Sequence, residues 1–235
     1  MPCVLELGGK SAAIVRSDAD LDNLMSNVRW GIFFNAGQVC SAMSRVLVHQ
    51  SIHQEFVERA AALADSLSVD AGAGLSVEGE SMGAMVSVPQ RDRALGLVER
   101  AQHQGAQLIA GGEVPRDGAF LRPTVFDQVK PDNEIFQTEV FGPVLCVTPF
   151  SDDEQALAFA NGTDYGLVAG VFTQDISAAL ALSKRLRAGQ VFVNEWFAGG
   201  VETPFGGYGK SGYGREKGRE ALLNYVHTKN VAIRL

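Results

Sequence analysis

Val168-Ala169-Gly170-Val171-Phe172 and Gln190-Val191-Phe192-Val193-Asn194 are two short apolar runs, separated by a helix-patterned stretch over residues 175–187. Short runs of this composition read as strands, and the stretch between them reads as a helix. A strand–helix–strand order implies a parallel crossover, which is right-handed in nearly all known cases. The same alternation continues outward. Arg45–His49, Gln107–Ala110 and Val144–Phe150 are strand-like. Leu21, Leu24, Met25, Val28 and Ile32 form a stripe at helical spacing after Asp18-Ala19-Asp20, and that helix is predicted to run out near Asn35-Ala36-Gly37. Ser51 with Gln54, and Ser151 with Glu154, have the spacing of capping boxes. The first should open a helix that buries Phe56, Val57, Ala60, Leu63, Ala64 and Leu67, and the second a helix to about Asn161. Pro89 suits the first turn of a helix carrying Leu95, Val98 and Ala101 and stopped by Gly105. Residues 70–83, rich in Gly, Ser and acidic side chains, read as a surface loop. The expected fold is α/β, a mostly parallel sheet flanked by helices, with a strand-like tail over residues 224–235.

Composition narrows the function classes. The chain has 235 residues, 46% of them hydrophobic and 20% charged, an ordinary globular balance. A net charge of −7 without a basic block argues against nucleic acid and anionic membranes as partners. No apolar run is long enough to span a bilayer, and no secretion signal is read at the N-terminus. Cys3, Cys40 and Cys146 do not make a disulfide framework in a chain of this length, so a reducing cytoplasm is the expected location. His49 and His53 stand four apart with no third ligand near, so no metal site is predicted.

Two segments offer complementary chemistry. Phe34-Asn35-Ala36-Gly37-Gln38-Val39-Cys40-Ser41 presents a thiol at a glycine-broken loop. Glu6-Leu7-Gly8-Gly9-Lys10 presents a carboxylate beside a Gly-Gly turn. A thiol nucleophile and a carboxylate able to activate water are the parts needed to make and then hydrolyse a thioester. If Ser41-Ala42-Met43-Ser44 begins a helical turn, the dipole would favour the Cys40 thiolate. Partial burial of Glu6 at a strand end would raise its pKa toward neutrality and make it a usable base.

At this spacing the two segments resemble the NAD(P)-dependent aldehyde dehydrogenase family. The resemblance continues through Glu139-Val140-Phe141-Gly142-Pro143-Val144 and Pro204-Phe205-Gly206-Gly207-Tyr208, so it runs nearly the length of the chain. It implies Cys40 as nucleophile and Glu6 as general base. It also implies Glu139 on the ribose at the nicotinamide side of NAD or NADP, with Phe141 by the nicotinamide ring and Leu7 on the cofactor side. Trp196, Phe197 and Phe205 would line the path of an aldehyde substrate, with Gly199-Gly200 leaving room. Strand ends in parallel sheets are in any case where ligands collect.

The implied organisation is the end of a cofactor-binding domain in residues 1–9, a catalytic domain in 10–223 and an oligomerisation tail in 224–235. The implied assembly is a homo-oligomer, dimer or tetramer. The family's cofactor domain precedes the Glu6 motif, and no such region is read within these residues, so weak NAD binding by the chain alone is expected. The implied reaction is oxidation of an aldehyde to a carboxylic acid through a cysteine thiohemiacetal and thioester. A non-enzymatic assembly partner and a cofactor-independent thiol esterase stay open as other classes. Gly207-Tyr208-Gly209-Lys210-Ser211-Gly212 satisfies G-x-G-x-x-G, but Pro204 precedes it where a strand is needed, so it reads as a turn rather than a nucleotide loop.

Overall fold

The computed structural model of the chain describes residues 3–71 and 81–235. In chain order the elements are β1 (Leu5–Glu6), β2 (Ala12–Val15), α1 (Leu21–Val28), β3 (Arg45–His49), α2 (His53–Ser66), β4 (Ser68–Val69), β5 (Ser81–Met82), α3 (Val88–His103), β6 (Gln107–Ala110), β7 (Thr124–Asp127), α4 (Glu134–Gln137), β8 (Val144–Phe150), α5 (Asp153–Asn161), β9 (Val168–Phe172), α6 (Ile176–Ser183), β10 (Gln190–Val193) and β11 (Gly212–Tyr213). Seven strands form the central sheet in the order β10-β9-β2-β3-β8-β7-β6. All its pairings are parallel except β6 on β7. Strands β2, β7 and β9 are buried along their whole length, as sheets covered by helices on both faces require. The α/β class read from the sequence is therefore the observed one.

Local chemistry moved several boundaries. Ser51 does not cap α2, because its hydroxyl turns back to His49 Nδ1 at 2.8 Å. The box at α5 is shifted by one residue: Asp152 accepts from the Gln155 N–H at 2.9 Å, and Gln155 Oε1 accepts from the Ser151 N–H at 2.8 Å. Helix α6 ends at Ser183, short of the predicted Arg187. Asn161 explains the stop: its amide donates to the Arg185 carbonyl at 3.0 Å and accepts from the Arg187 N–H at 2.8 Å, groups a longer helix would have used. Of the predicted loop, residues 72–80 lie outside the described residues, while Ser81–Met82 is a strand pairing with Ser68–Val69.

The tail is unpaired in the single chain. Glu220–Tyr225 forms a short 3-10 turn, and residues 226–235 are exposed without regular structure. The alternation at Asn230-Val231-Ala232-Ile233-Arg234 finds no ladder among the described residues, and a strand without a partner has no hydrogen bonds to hold it.

Two ties bring the chemistry-bearing segments together. Strands β1 and β11 pair antiparallel, with Glu6 opposite Gly212. A Cβ on Gly212 would sit 1.9 Å from the Leu5 carbonyl oxygen, so the close approach needs glycine. The G-x-G-x-x-G run is accordingly a clip: the Ser211 carbonyl accepts from the Leu7 N–H at 3.1 Å, and its hydroxyl accepts from the Gly166 N–H at 3.1 Å.

The second tie is Arg45, at the head of β3. It is 2% exposed and faces no carboxylate in hydrogen-bond range. Its guanidinium donates to the carbonyls of Lys10 at 2.9 Å, Phe159 at 2.7 Å and Ala160 at 2.9 Å, and it lies over the Phe136 ring. These bonds lock the segment after Gly9 to the C-terminal end of α5, where a cation is favoured. Arg45→Met would remove three hydrogen bonds and leave the Lys10 and Ala160 carbonyls without the Arg45 donor, while Phe159 keeps the Gly162 N–H. Unmade buried hydrogen bonds are costly, so we expect a loss of about 3 kcal/mol or more in urea denaturation. An unchanged midpoint would contradict this assignment.

Candidate active site

The Glu6 segment, the Cys40 loop and Glu139 meet around the Gly8–Gly9 turn. Gly9 donates its N–H to Glu139 Oε1 at 3.0 Å. A Cβ on Gly9 would lie 2.3 Å from the Cys40 carbonyl oxygen, and one on Gly8 would lie 2.2 Å from Glu139 Oε2. Both positions are glycine because other chain segments occupy the space of a side chain.

Cys40 arrives there by an unusual path. Helix α1 continues as a π-helical turn over Arg29–Phe33, and then Asn35, Ala36 and Gly37 all adopt left-handed backbone at φ 52°, 52° and 69°. The predicted helix break is therefore at the residues expected. The predicted helix after Cys40 is not formed. Cys40 and Ser41 instead occupy the middle of a tight turn closed by the Ala42 N–H on the Val39 carbonyl at 3.0 Å. The chain must enter β3 at Arg45, and the Met43 N–H is taken by the Gly31 carbonyl at 2.8 Å, which leaves no ladder for a helix.

The electrostatics of the thiol follow from this placement. Burial pushes the Cys40 thiol above the ordinary range. The Ser41 N–H works the other way, favouring the thiolate, while Glu139 and Glu6 oppose it. The lowered thiol pKa expected from a helix terminus is thus reversed in direction, chiefly by burial, with Glu139 and Glu6 adding to the rise.

Glu6 is only partly buried, yet both carboxylate oxygens are shielded from solvent and have no hydrogen-bond partner. Burial raises its pKa, Glu216 adds to the rise, and Arg215 offsets part of it. This agrees with the sequence expectation of a carboxyl poised above its usual range. Glu139 is also raised by burial, against the Gly9 N–H, Lys10 and Arg93.

The aromatic residues divide. Phe141 is 36% exposed with a left-handed backbone, at the end of the Glu139 segment. Phe197 is likewise left-handed and exposed. Phe205 pairs with Glu216 through two 2.7 Å backbone hydrogen bonds, and its neighbour Gly206 lies against Glu6: a Cβ there would be 2.9 Å from Glu6 Oε1. Leu7 holds Ser211 with its N–H and leaves its side chain exposed. Trp196 is a buried ring in this chain. It is 6% exposed, and its indole N–H donates to the Ser41 carbonyl at 3.0 Å.

Sequence reading missed the residues that hold the Glu139 segment. Arg93 donates to the carbonyls of Glu139 at 3.1 Å and Val140 at 3.0 Å, and Gln90 to those of Val140 at 3.1 Å and Phe141 at 3.0 Å. Their one sequence signal is the spacing of Gln90 and Arg93 on a single helix face. Among the described residues, no group of three or more His, Cys, Asp or Glu is arranged to hold a metal ion, and no helix is long and apolar enough to cross a membrane.

A model of the aldehyde dehydrogenase family matches residues 1–231 of the chain. The chain is 40% identical over 236 residues to a betaine aldehyde dehydrogenase of Brucella anthropi, covering 98% of this chain and 48% of that protein. It is 42% identical over 228 residues to a mitochondrial aldehyde dehydrogenase of Leishmania tarentolae, covering 97% and 45%. Among solved structures, the NAD+ complex of an aldehyde dehydrogenase from Bacillus cereus superposes with a TM-score of 0.89 at 42% identity, over 94% of this chain and 45% of that one. A mutant indole-3-acetaldehyde dehydrogenase of P. syringae, in complex with NAD+ and IAA, gives 0.93 at 37% identity, over 99% and 47%. The chain spans about half the length of the curated relatives it matches.

Proposed function

The chain belongs to the aldehyde dehydrogenase family, and from that premise we propose that it carries the acyl-forming half of an aldehyde oxidation, with NAD or NADP as hydride acceptor. The proposed substrate is a small-molecule aldehyde and the product its carboxylic acid. We further propose the division into residues 1–9, 10–223 and 224–235 given above, with the exposed apolar tail as the contact to a second copy of the chain.

The residues fit a nicotinamide nucleotide. The Glu139 carboxylate accepts one hydrogen bond from Gly9, and a carboxylate has about four acceptor sites, so a ribose diol can still be held. The missing side chain at Gly8 leaves its second oxygen room. The exposed Phe141 ring is a flat apolar surface of the kind a nicotinamide ring needs. When bound, the cofactor takes the hydride from the substrate carbon.

The remaining work falls to this chain. Cys40 loses its proton and its sulfur bonds the aldehyde carbon, giving a thiohemiacetal. Departure of hydride from that carbon, and of the hydroxyl proton, leaves a thioester on Cys40. Glu6 takes a proton from water as the water adds to the thioester carbon, and the Cys40 sulfur leaves as the acid is released. A carboxyl raised toward neutrality suits this task, because it accepts a proton more readily than an ordinary glutamate.

The observation that supports this reading most is the meeting of a half-buried thiol with two carboxylates around one Gly-Gly turn. Its test needs no cofactor. Incubation with p-nitrophenyl acetate, an acid quench and peptide mass spectrometry should locate the acetyl group on Cys40. Acetyl confined to Cys3 or Cys146 would overturn the assignment.

A further inference from the structure

Trp196 sits in a slot made for its indole. A Cβ on Gly170, in the middle of β9, would fall 2.6 Å from the indole Cζ3, and a Cβ on Gly31, in the π-helical turn, 3.4 Å from Cδ1. Phe192 packs edge-on at 5.7 Å. Upstream, Asn194 is fixed in left-handed backbone at φ 55°. Its side-chain oxygen accepts from the Thr173 N–H at 2.9 Å, its amide donates to the Thr173 carbonyl at 2.8 Å, and its own carbonyl accepts from Asn23 at 2.8 Å. The ring thus comes off a rigid strand end, with its one donor aimed at the loop that carries the thiol. A buried indole N–H makes a hydrogen bond wherever it can, and here the acceptor is the Ser41 carbonyl at 3.0 Å.

We propose that Trp196 is a positioning residue for the nucleophile: by holding the Ser41 carbonyl, its indole N–H fixes the Cys40–Ser41 turn and so the direction of the Ser41 N–H toward the sulfur. Among the described residues the turn has one other closure, the Ala42 N–H on the Val39 carbonyl. The Ser41 carbonyl and the Ala42 N–H belong to one peptide unit, so the two bonds together fix the plane of that unit, at the exit of the Cys40–Ser41 turn. The Ser41 N–H favours the thiolate, against burial and against Glu139 and Glu6, the charged groups that face the sulfur. Trp196 therefore sets how much of the thiol is ionised without touching it. This inference rests on the reading of Cys40 as nucleophile.

The test is the pH dependence of Cys40 alkylation by iodoacetamide in the full chain, read by peptide mass spectrometry. Two variants are compared with the parent. Trp196→Phe removes the N–H and part of the ring. Replacement of Trp196 by 3-benzothienylalanine, introduced at that codon alone, keeps the shape and exchanges the N–H for sulfur. Glu6 and Glu139 stay in place in both. Loss of a hydrogen bond that favours the charged form moves the midpoint to higher pH, so at pH 7 the labelling rate should fall about three- to tenfold. The isosteric replacement should do this with an unchanged thermal denaturation midpoint, which separates positioning from packing. If Cys40 is alkylated in the parent and the isosteric variant has the same pH profile, Trp196 has no such role, and the nucleophile reading survives. If parent Cys40 takes neither acetyl nor iodoacetamide, the nucleophile reading fails and takes this inference with it.

Discussion

Cys40→Ala should erase the burst of nitrophenol from p-nitrophenyl acetate and reduce steady-state hydrolysis to the uncatalysed background. No other thiol can substitute. Cys146 is fully buried beside Lys10 and Arg45, where no ester can reach it. Cys3 is exposed and hydrogen-bonded to the Tyr213 hydroxyl. Cys3→Ala should therefore leave the burst intact. The pH dependence has a definite sign. Burial and two carboxylates hold the Cys40 pKa above the ordinary thiol range, so the acylation rate of the free chain should still be climbing with pH where an unperturbed thiol has levelled off. Hydrolysis undiminished in Cys40→Ala would remove the thiol from the reaction.

Five of the seven strands in the central sheet were legible as short apolar runs between helix-patterned stretches, while β2 and β7 were not read as strands. Val168–Phe172 and Val144–Phe150 could hardly be anything else in this chain. The motifs picked out segments that the structure brings together, and the raised Glu6 carboxyl was expected from its place at a strand end, whereas the raised Cys40 thiol was not. The expected helix at Ser41 required knowing whether the Ser41 carbonyl was free, and its partner, Trp196, lies far along the chain. The same distance hid Arg93 and Gln90 beneath the Glu139 segment, and Arg45 beneath Lys10. Caps were misread by one residue because Ser, Asp and Gln compete for the same few N–H groups, and only packing decides which wins. The tail's alternation is strand-like, and its exposure in the single chain leaves it without a ladder of its own.

Glu6→Gln separates base from nucleophile. The glutamine amide cannot accept a proton from water, while Cys40 is left in place, so acylation should proceed and deacylation should stall. The variant should release one nitrophenol per active site and then turn over about 10²–10⁴-fold more slowly than the parent. Stability tells whether the slowing is chemical. The folded pKa of Glu6 is raised, chiefly by burial. A raised carboxyl favours the fold while protonated, and that contribution is lost as pH rises through the folded pKa. At neutral pH the ionised Glu6 therefore costs stability, since both oxygens are shielded and unpartnered. The variant should melt at or above the parent temperature at pH 7, and the advantage should shrink as pH falls through the raised folded pKa, with no further change below the ordinary glutamate range. A stable variant with a full burst and a slow steady state assigns Glu6 to water activation. Full steady-state turnover would take it out of the mechanism, and Glu139, the other raised carboxyl facing Cys40, would then be the base to test.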